Sequence, residues 1–143
     1  MTASIELTNV SKVFGPFKAV DSLSFRVPGG CMFGLWLASK LGVPFIPIRK
    51  AGKLPYTIRQ KAYKLEYGTA VIELHIDAFE PGQHILIHDD LLATGGTVTA
   101  AAELIYEMGG TVAGFAFVVA LGFLNGVERI KPISDNIIIL ADY

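Results

Sequence analysis

Cysteine is almost absent from this chain of 143 residues: Cys31 stands alone, so the fold has no internal disulfide to rely on. Charge of one sign is lacking too. The 12 Lys and Arg against 13 Asp and Glu leave a formal net charge of -1, which excludes the basic excess of a dedicated nucleic-acid binder. Charged residues make up only 17% and hydrophobic ones 52%, the reverse of a disordered composition. No charged-then-apolar leader opens the sequence, and the expectation is a cytoplasmic protein of one main domain.

Long hydrophobic runs are scarce as well. Between Glu107 and Glu128 the chain carries no charge over about 20 residues, enough in length for a membrane span. Gly109-Gly110, Gly114, Gly122 and Asn125-Gly126 interrupt it, and such pairs punctuate turns. The apolar stretch Val112 to Leu121 is expected instead as a strand of a parallel sheet covered by helices, with no membrane partner.

What is present alternates between helix and strand from residue 33 onward. Phe33 to Leu41 reads as a short helix stopped by Gly42, and Val43 to Ile48 as a strand. Tyr63 to Ala78 looks extended, with Ile72, Leu74 and Ile76 alternating against Glu73, His75 and Asp77 as in a half-exposed hairpin arm. His84 to His88 reads as a buried strand and Thr97 to Met108 as a helix burying Val98, Ala101, Ile105 and Met108, with Gly109 at its end. Asn136 to Leu140 supplies a last strand. Strands separated by helices imply an α/β fold with a parallel sheet. The first thirty residues differ: Ile5 to Val10 and Ser22 to Val27 alternate around Phe14-Gly-Pro16, as in an antiparallel β-hairpin.

The most informative segment is Ile85-Leu-Ile-His-Asp89-Asp90-Leu-Leu-Ala93-Thr94-Gly95-Gly96-Thr97. An apolar strand delivers two carboxylates to its C-terminal end, and a glycine turn then opens a helix. Successive backbone N–H groups at a helix N-terminus suit a phosphate, and glycines let the anion come close. Thr94 and Thr97 add hydroxyls. Carboxylates do not suit phosphate; they suit the hydroxyls of a sugar, as an acidic residue grips ribose in dinucleotide folds. Together these point to a ribose 5-phosphate moiety. Upstream, six of the 12 basic residues (Arg49, Lys50, Lys53, Arg59, Lys61, Lys64) crowd into residues 49–64. Arg49 and Lys50 follow an apolar run, at the strand end where open α/β sheets bind ligands. His75, His84 and His88 are not expected to form a zinc site, and Phe115, Phe117 and Phe123 read as core or strand-end packing.

The Asp89-to-Thr97 segment resembles the 5-phosphoribosyl 1-diphosphate (PRPP) motif of type I phosphoribosyltransferases. Val43 to Pro55 is similar to the pyrophosphate-side loop of the adenine phosphoribosyltransferase family, Tyr63-Lys-Leu-Glu66-Tyr67-Gly68 to its catalytic arm, and Phe123-Leu-Asn-Gly126 to a later signature. The resemblance covers about residues 33–143. It implies a type I phosphoribosyltransferase-like parallel sheet flanked by helices, and synthesis of AMP from adenine and PRPP with release of pyrophosphate. It further implies that Ala93, Thr94, Gly95, Gly96 and Thr97 hold the 5-phosphate, and that Asp89 and Asp90 face the ribose with Mg2+ arriving on PRPP. Arg49, Lys50 and Lys53 would neutralise the diphosphate, and Glu66 and Tyr67 would close over the reacting centre. A homodimer goes with the apolar composition.

Three departures from the family pattern shape the remaining expectations. Gly29-Gly30-Cys31-Met32-Phe33 stands where the family has an Arg-Gly-Phe turn, and Ala120-Leu-Gly122 where it has a Glu-Leu-Pro type sequence. Residues 1–30 resemble instead the opening of an ABC-transporter ATPase domain, with Phe14 as its adenine-stacking aromatic, joined to a phosphoribosyltransferase-like core at 31–143. No Walker A lysine follows, so ATP hydrolysis is not expected. Turnover as a phosphoribosyltransferase is expected to be weak or absent, leaving a PRPP- or nucleotide-binding module, or a structural chimera of two families, as the alternative.

Overall fold

A computed structural model describes residues 5–14, 17–27, 33–64 and 68–143, the first two segments in their backbone only. It divides into two units, Met1–Phe45 and Ile46–Tyr143. In the first, β1 (Ile5–Phe14) and β2 (Phe17–Val27) pair antiparallel from Ile5 opposite Val27 to Phe14 opposite Phe17. This is the hairpin expected from the alternation. Helix α1 (Phe33–Leu41) ends at Gly42, whose φ of 67° breaks the helical path.

The second unit holds β3 (Arg49–Lys50), β4 (Ile58–Lys64), β5 (Thr69–His75), β6 (His84–Leu92), α2 (Gly96–Glu107), β7 (Thr111–Ala120), α3 (Gly126–Ile130) and β8 (Ile137–Asp142). Among the described residues these strands form two sheets, an antiparallel one in the order β3-β5-β4 and a parallel one in the order β6-β7-β8. The fold is α/β, with a parallel sheet flanked by helices.

The core follows the helical and strand periods. Helix α2 buries Val98, Ala101, Leu104 and Ile105, and its small Ala100 and Ala102 are buried too. It closes with the Gly110 N–H on the Ile105 carbonyl and the Gly109 N–H on the Tyr106 carbonyl, both 3.0 Å, with Gly109 at φ 84°. That is a Schellman end built on glycine. Phe115 and Phe117 of β7 are fully buried, their rings stacked at 6.2 Å. The uncharged stretch between Glu107 and Glu128 is therefore turn, strand β7 and the short helical turns that lead into α3. No described helix is long and apolar enough to cross a membrane.

Three expectations are corrected. Val43 to Ile48 is not a strand: pairing begins only at Arg49. Pro44 and Pro47 each remove a ladder N–H, which confines such a segment to irregular extended chain. Strand β6 is only half buried, with Ile87 and Leu92 inside and Leu86 and Leu91 exposed, because among the described residues it is the edge strand of its sheet. It also runs on to Leu92, so Asp89 and Asp90 lie within the ladder rather than beyond it. Finally, Glu73 does not face solvent. It is completely buried between Ile72 and Leu74.

Candidate active site

Strand β6 ends two residues after Asp90, and residues 93–95 turn the chain into α2. Gly95 is the N-cap residue at φ 75°, a left-handed conformation that favours glycine, and no side chain caps the helix. The first helical bond is donated by the Thr99 N–H to the Gly95 carbonyl, at 3.0 Å. The N–H groups ahead of it thus have no side-chain cap, the condition under which a helix N-terminus can receive an anion. Gly96 is buried and Thr97 exposed. The Thr97 hydroxyl meets the Tyr63 hydroxyl at 3.1 Å, which ties the β4–β5 hairpin to the turn.

The turn rests on α3. A Cβ built on Gly95 would stand 3.0 Å from the Gly126 carbonyl oxygen and 3.4 Å from atoms of Arg129 and Ile130. A Cβ on Gly126 would collide with the carbonyl oxygen of Ala93. Helix and turn approach backbone to backbone, and only glycine on both sides allows it. This support was not read from the sequence beyond the Phe123-to-Gly126 signature, although two glycines facing each other across the fold were its signal.

Asp89 and Asp90 follow each other on β6, and the Asp89 carboxylate accepts the Asp90 N–H at 2.9 Å. Asp90 is exposed and Asp89 half-buried. Burial is the main force pushing the Asp89 carboxyl above its ordinary pKa, helped by the neighbouring Asp90 charge and opposed by the Asp90 N–H and His88. A raised folded pKa means that any stability Asp89 contributes is present at low pH and lost as pH rises through that value. At neutral pH its charge therefore costs stability. We expect Asp89→Asn to melt at a higher temperature than the parent chain at pH 7, with the difference shrinking on acidification. A lower melting temperature at pH 7 would refute the strain assigned to this carboxylate.

The basic segment stands on the antiparallel sheet. Arg49 and Lys50 form β3, and Lys53 lies in the turn that follows; all three are exposed and make no ion pair among the described residues. No hydrogen bond links them to residues 89–97 among the described residues. Lys61 is diverted elsewhere, held 2.9 Å from Glu103 and 2.6 Å from Glu107 of α2, and the hydrogen bonds it donates to Glu107 and then to Glu103 raise its pKa. Glu66 and Tyr67 lie outside the described residues, as does Gly29. Their neighbours Tyr63 and Lys64 reach the glycine turn: besides the Tyr63 bond, the Lys64 carbonyl lies 3.7 Å from a Cβ placed on Gly96. A cavity of about 380 Å³ lined by Tyr56, Thr57, His75, Ile76 and Asp77 opens at the other end of that hairpin and touches none of these residues.

The residue missed in the sequence is Glu73. Its carboxylate accepts the backbone N–H groups of Gly52 at 2.9 Å, Lys53 at 2.7 Å and Leu54 at 2.5 Å, and more distantly the Gln60 amide at 3.4 Å. Burial pushes its pKa up, but the bonds from Leu54, Gly52, Lys53 and Gln60 outweigh it and hold the carboxyl below its ordinary value. The signal was an acid inside the apolar run Ala70-Val-Ile-Glu-Leu74.

A strand carrying paired acids, a glycine turn and an uncapped helix end define an α/β protein with a strand–turn–helix corner built on a parallel sheet. The chain belongs to the phosphoribosyl transferase domain family, whose model matches residues 28–139. It is 54% identical over 102 residues to an adenine phosphoribosyltransferase of Nitrosococcus oceani, covering 71% of this chain and 60% of that one. It is 46% identical over 123 residues to that of Cytophaga hutchinsonii, covering 86% and 68%. Among solved structures, the adenine phosphoribosyltransferase of Thermoanaerobacter pseudethanolicus superposes with a TM-score of 0.74 at 46% identity, over 78% of this chain and 63% of that one. The chain thus spans about two thirds of the length of these proteins. The Cytophaga alignment leaves only about 20 residues of this chain unmatched and so reaches into residues 1–30. An ABC-transporter ATPase segment, and a join of two families, gain no support from it.

Proposed function

We propose that this chain transfers the phosphoribosyl group of PRPP to adenine, giving AMP and pyrophosphate, as a cytoplasmic enzyme of purine salvage. The observation that carries this reading is the uncapped α2 N-terminus behind Gly95, one turn from Asp89 and Asp90. The amides of residues 93–97 would hold the 5-phosphate, with the Thr94 and Thr97 hydroxyls beside them. Asp89 and Asp90 would accept the ribose hydroxyls, which fixes the sugar with its anomeric carbon turned away from the helix. Arg49, Lys50 and Lys53 would neutralise charge as the diphosphate leaves, the electrostatic work this displacement most needs. Glu66 would take up or return a proton on the purine while Tyr67 covers the centre from water.

No group of three or more His, Cys, Asp or Glu gathers among the described residues to cage a metal. Two adjacent carboxylates do fit magnesium that keeps most of its oxygen ligands from substrate and water, and Asp89 and Asp90 would meet it that way. When bound, it would offset diphosphate charge. The similarity to adenine phosphoribosyltransferases over most of the chain favours turnover over bare binding. The weak turnover expected from Gly29 has no such support, and neither has a binding-only module.

The test is an assay with labelled adenine and PRPP in magnesium, run with sedimentation to detect the homodimer that belongs to this reading. AMP formed in stoichiometry with pyrophosphate is the expected result. A chain that binds PRPP without forming AMP would reduce the protein to a binding module and overturn the proposed transfer; one that does neither would overturn the site as well.

A further inference from the structure

Two turns of the second unit gather backbone N–H groups, and they differ in what fills them. The turn at 93–97 has no side-chain cap on its amides. The turn at 51–54, shaped by Gly52 at φ 78°, aims the N–H groups of Gly52, Lys53 and Leu54 at one point. Such a nest of amides ordinarily receives an external anion. Here the chain supplies its own: the Glu73 carboxylate, from the centre strand of the antiparallel sheet, is fully buried within it. The same strand register sets Glu73 opposite Arg49 on one side and Gln60 on the other, and the Ala51 N–H bonds the Val71 carbonyl at 3.0 Å. The turn is therefore pinned at both ends to β5.

The consequence concerns the cations. Arg49, Lys50 and Lys53 lie within five residues of one another and repel. The buried Glu73 carboxylate fixes the backbone from which they project, through its bonds from the Gly52, Lys53 and Leu54 N–H groups. It also occupies the amides, so a diphosphate arriving there meets side-chain cations and not a backbone cradle. We propose that Glu73 is a positioning residue that holds the 49–54 turn in the form in which Arg49, Lys50 and Lys53 receive the diphosphate. This rests on the reading of those cations as diphosphate ligands.

The experiment uses the full chain and two probes in magnesium, pyrophosphate and AMP, measured by calorimetry. AMP carries the 5-phosphate, ribose and purine but no diphosphate, so it reports the nucleotide side of the site without the basic turn. In Glu73→Gln the side chain keeps its shape but brings an NH2 group against three N–H donors and removes the charge. We expect pyrophosphate affinity to fall at least about tenfold, a loss of 1.4 kcal/mol or more, with AMP affinity held within about twofold of the parent. Glu73→Asp keeps the charge on a shorter arm; it should lose less for pyrophosphate, again leaving AMP unchanged, and it carries the test should the glutamine variant not fold. Equal losses for both probes would reduce Glu73 to a general structural residue and overturn the proposal. So would unchanged pyrophosphate affinity. A parent chain that binds AMP but not pyrophosphate would instead overturn the reading of the basic turn, and the proposal with it.

Discussion

Gly95→Val is expected to abolish measurable binding of PRPP and AMP while leaving the core packed. Two separate obstacles act at this position. The backbone stands at φ 75°, where a β-branched side chain is a true outlier, and the first added carbon would stand 3.0 Å from the Gly126 carbonyl oxygen. A carbonyl cannot swing aside as the end of a side chain can, so the turn itself must move. If it moves, the N–H groups ahead of Thr99 no longer point at one place. Each hydrogen bond to a charged group contributes about 1.5–3 kcal/mol, so losing two or more costs a hundredfold in affinity or beyond. The control is Gly82→Ala, at φ 86° with nothing within 4 Å of the new carbon. It imposes left-handed backbone strain, about 1–2 kcal/mol, away from the site. Melting curves should show both variants folded, and calorimetry should find ligand affinity lost in the first and kept in the second. Unchanged PRPP affinity in Gly95→Val would remove the phosphate from this turn.

The parts of the site that could be read from the sequence are those that sit within one stretch of chain. Residues 85–97 declare themselves because an apolar strand, paired acids, a glycine turn and a helix with Val98, Ala101 and Ile105 on one face all occur in order. Each local preference agrees with the fold. Where residues distant in the chain decide the outcome, the pattern misled. Glu73 alternates with Ile72 and Leu74 like any outward-facing acid, and only the 51–54 turn folding over it makes it buried. Lys61 belongs by spacing to the basic segment, yet its partner Glu107 lies 46 residues on. For Val43 to Ile48 the misreading was local: hydrophobicity suggested a strand, but Pro44 and Pro47 have no N–H to give a ladder.

The helix beneath the phosphate turn leads to the second large effect. Gly126 starts α3, directly after Asn125 in a left-handed conformation at φ 55°. Its α-carbon sits so close under Ala93 that any side chain would strike the Ala93 carbonyl oxygen, and it would also stand 3.0 Å and 3.1 Å from Leu92 side-chain atoms. Gly126→Val therefore drives a wedge between α3 and the end of β6. Overpacking of this kind typically costs about 1–3 kcal/mol of stability, so the variant should fold with a reduced melting temperature. Its ligand binding should suffer more than its stability, because the displaced residue opens the turn that the ligand contacts. AMP affinity is expected to drop at least about tenfold, the equivalent of shifting one hydrogen bond to a charged group out of reach. Pyrophosphate affinity should persist, since the 49–54 turn is tied to β5 through Glu73 and no hydrogen bond or ion pair joins it to α3 among the described residues. The division between probes is what gives the measurement its force. A general loosening of the fold would weaken both ligands together, whereas selective loss of AMP marks α3 as the support of the phosphate turn. Retention of AMP affinity in Gly126→Val would mean that the turn adapts to its neighbour, and that Gly126 serves packing alone.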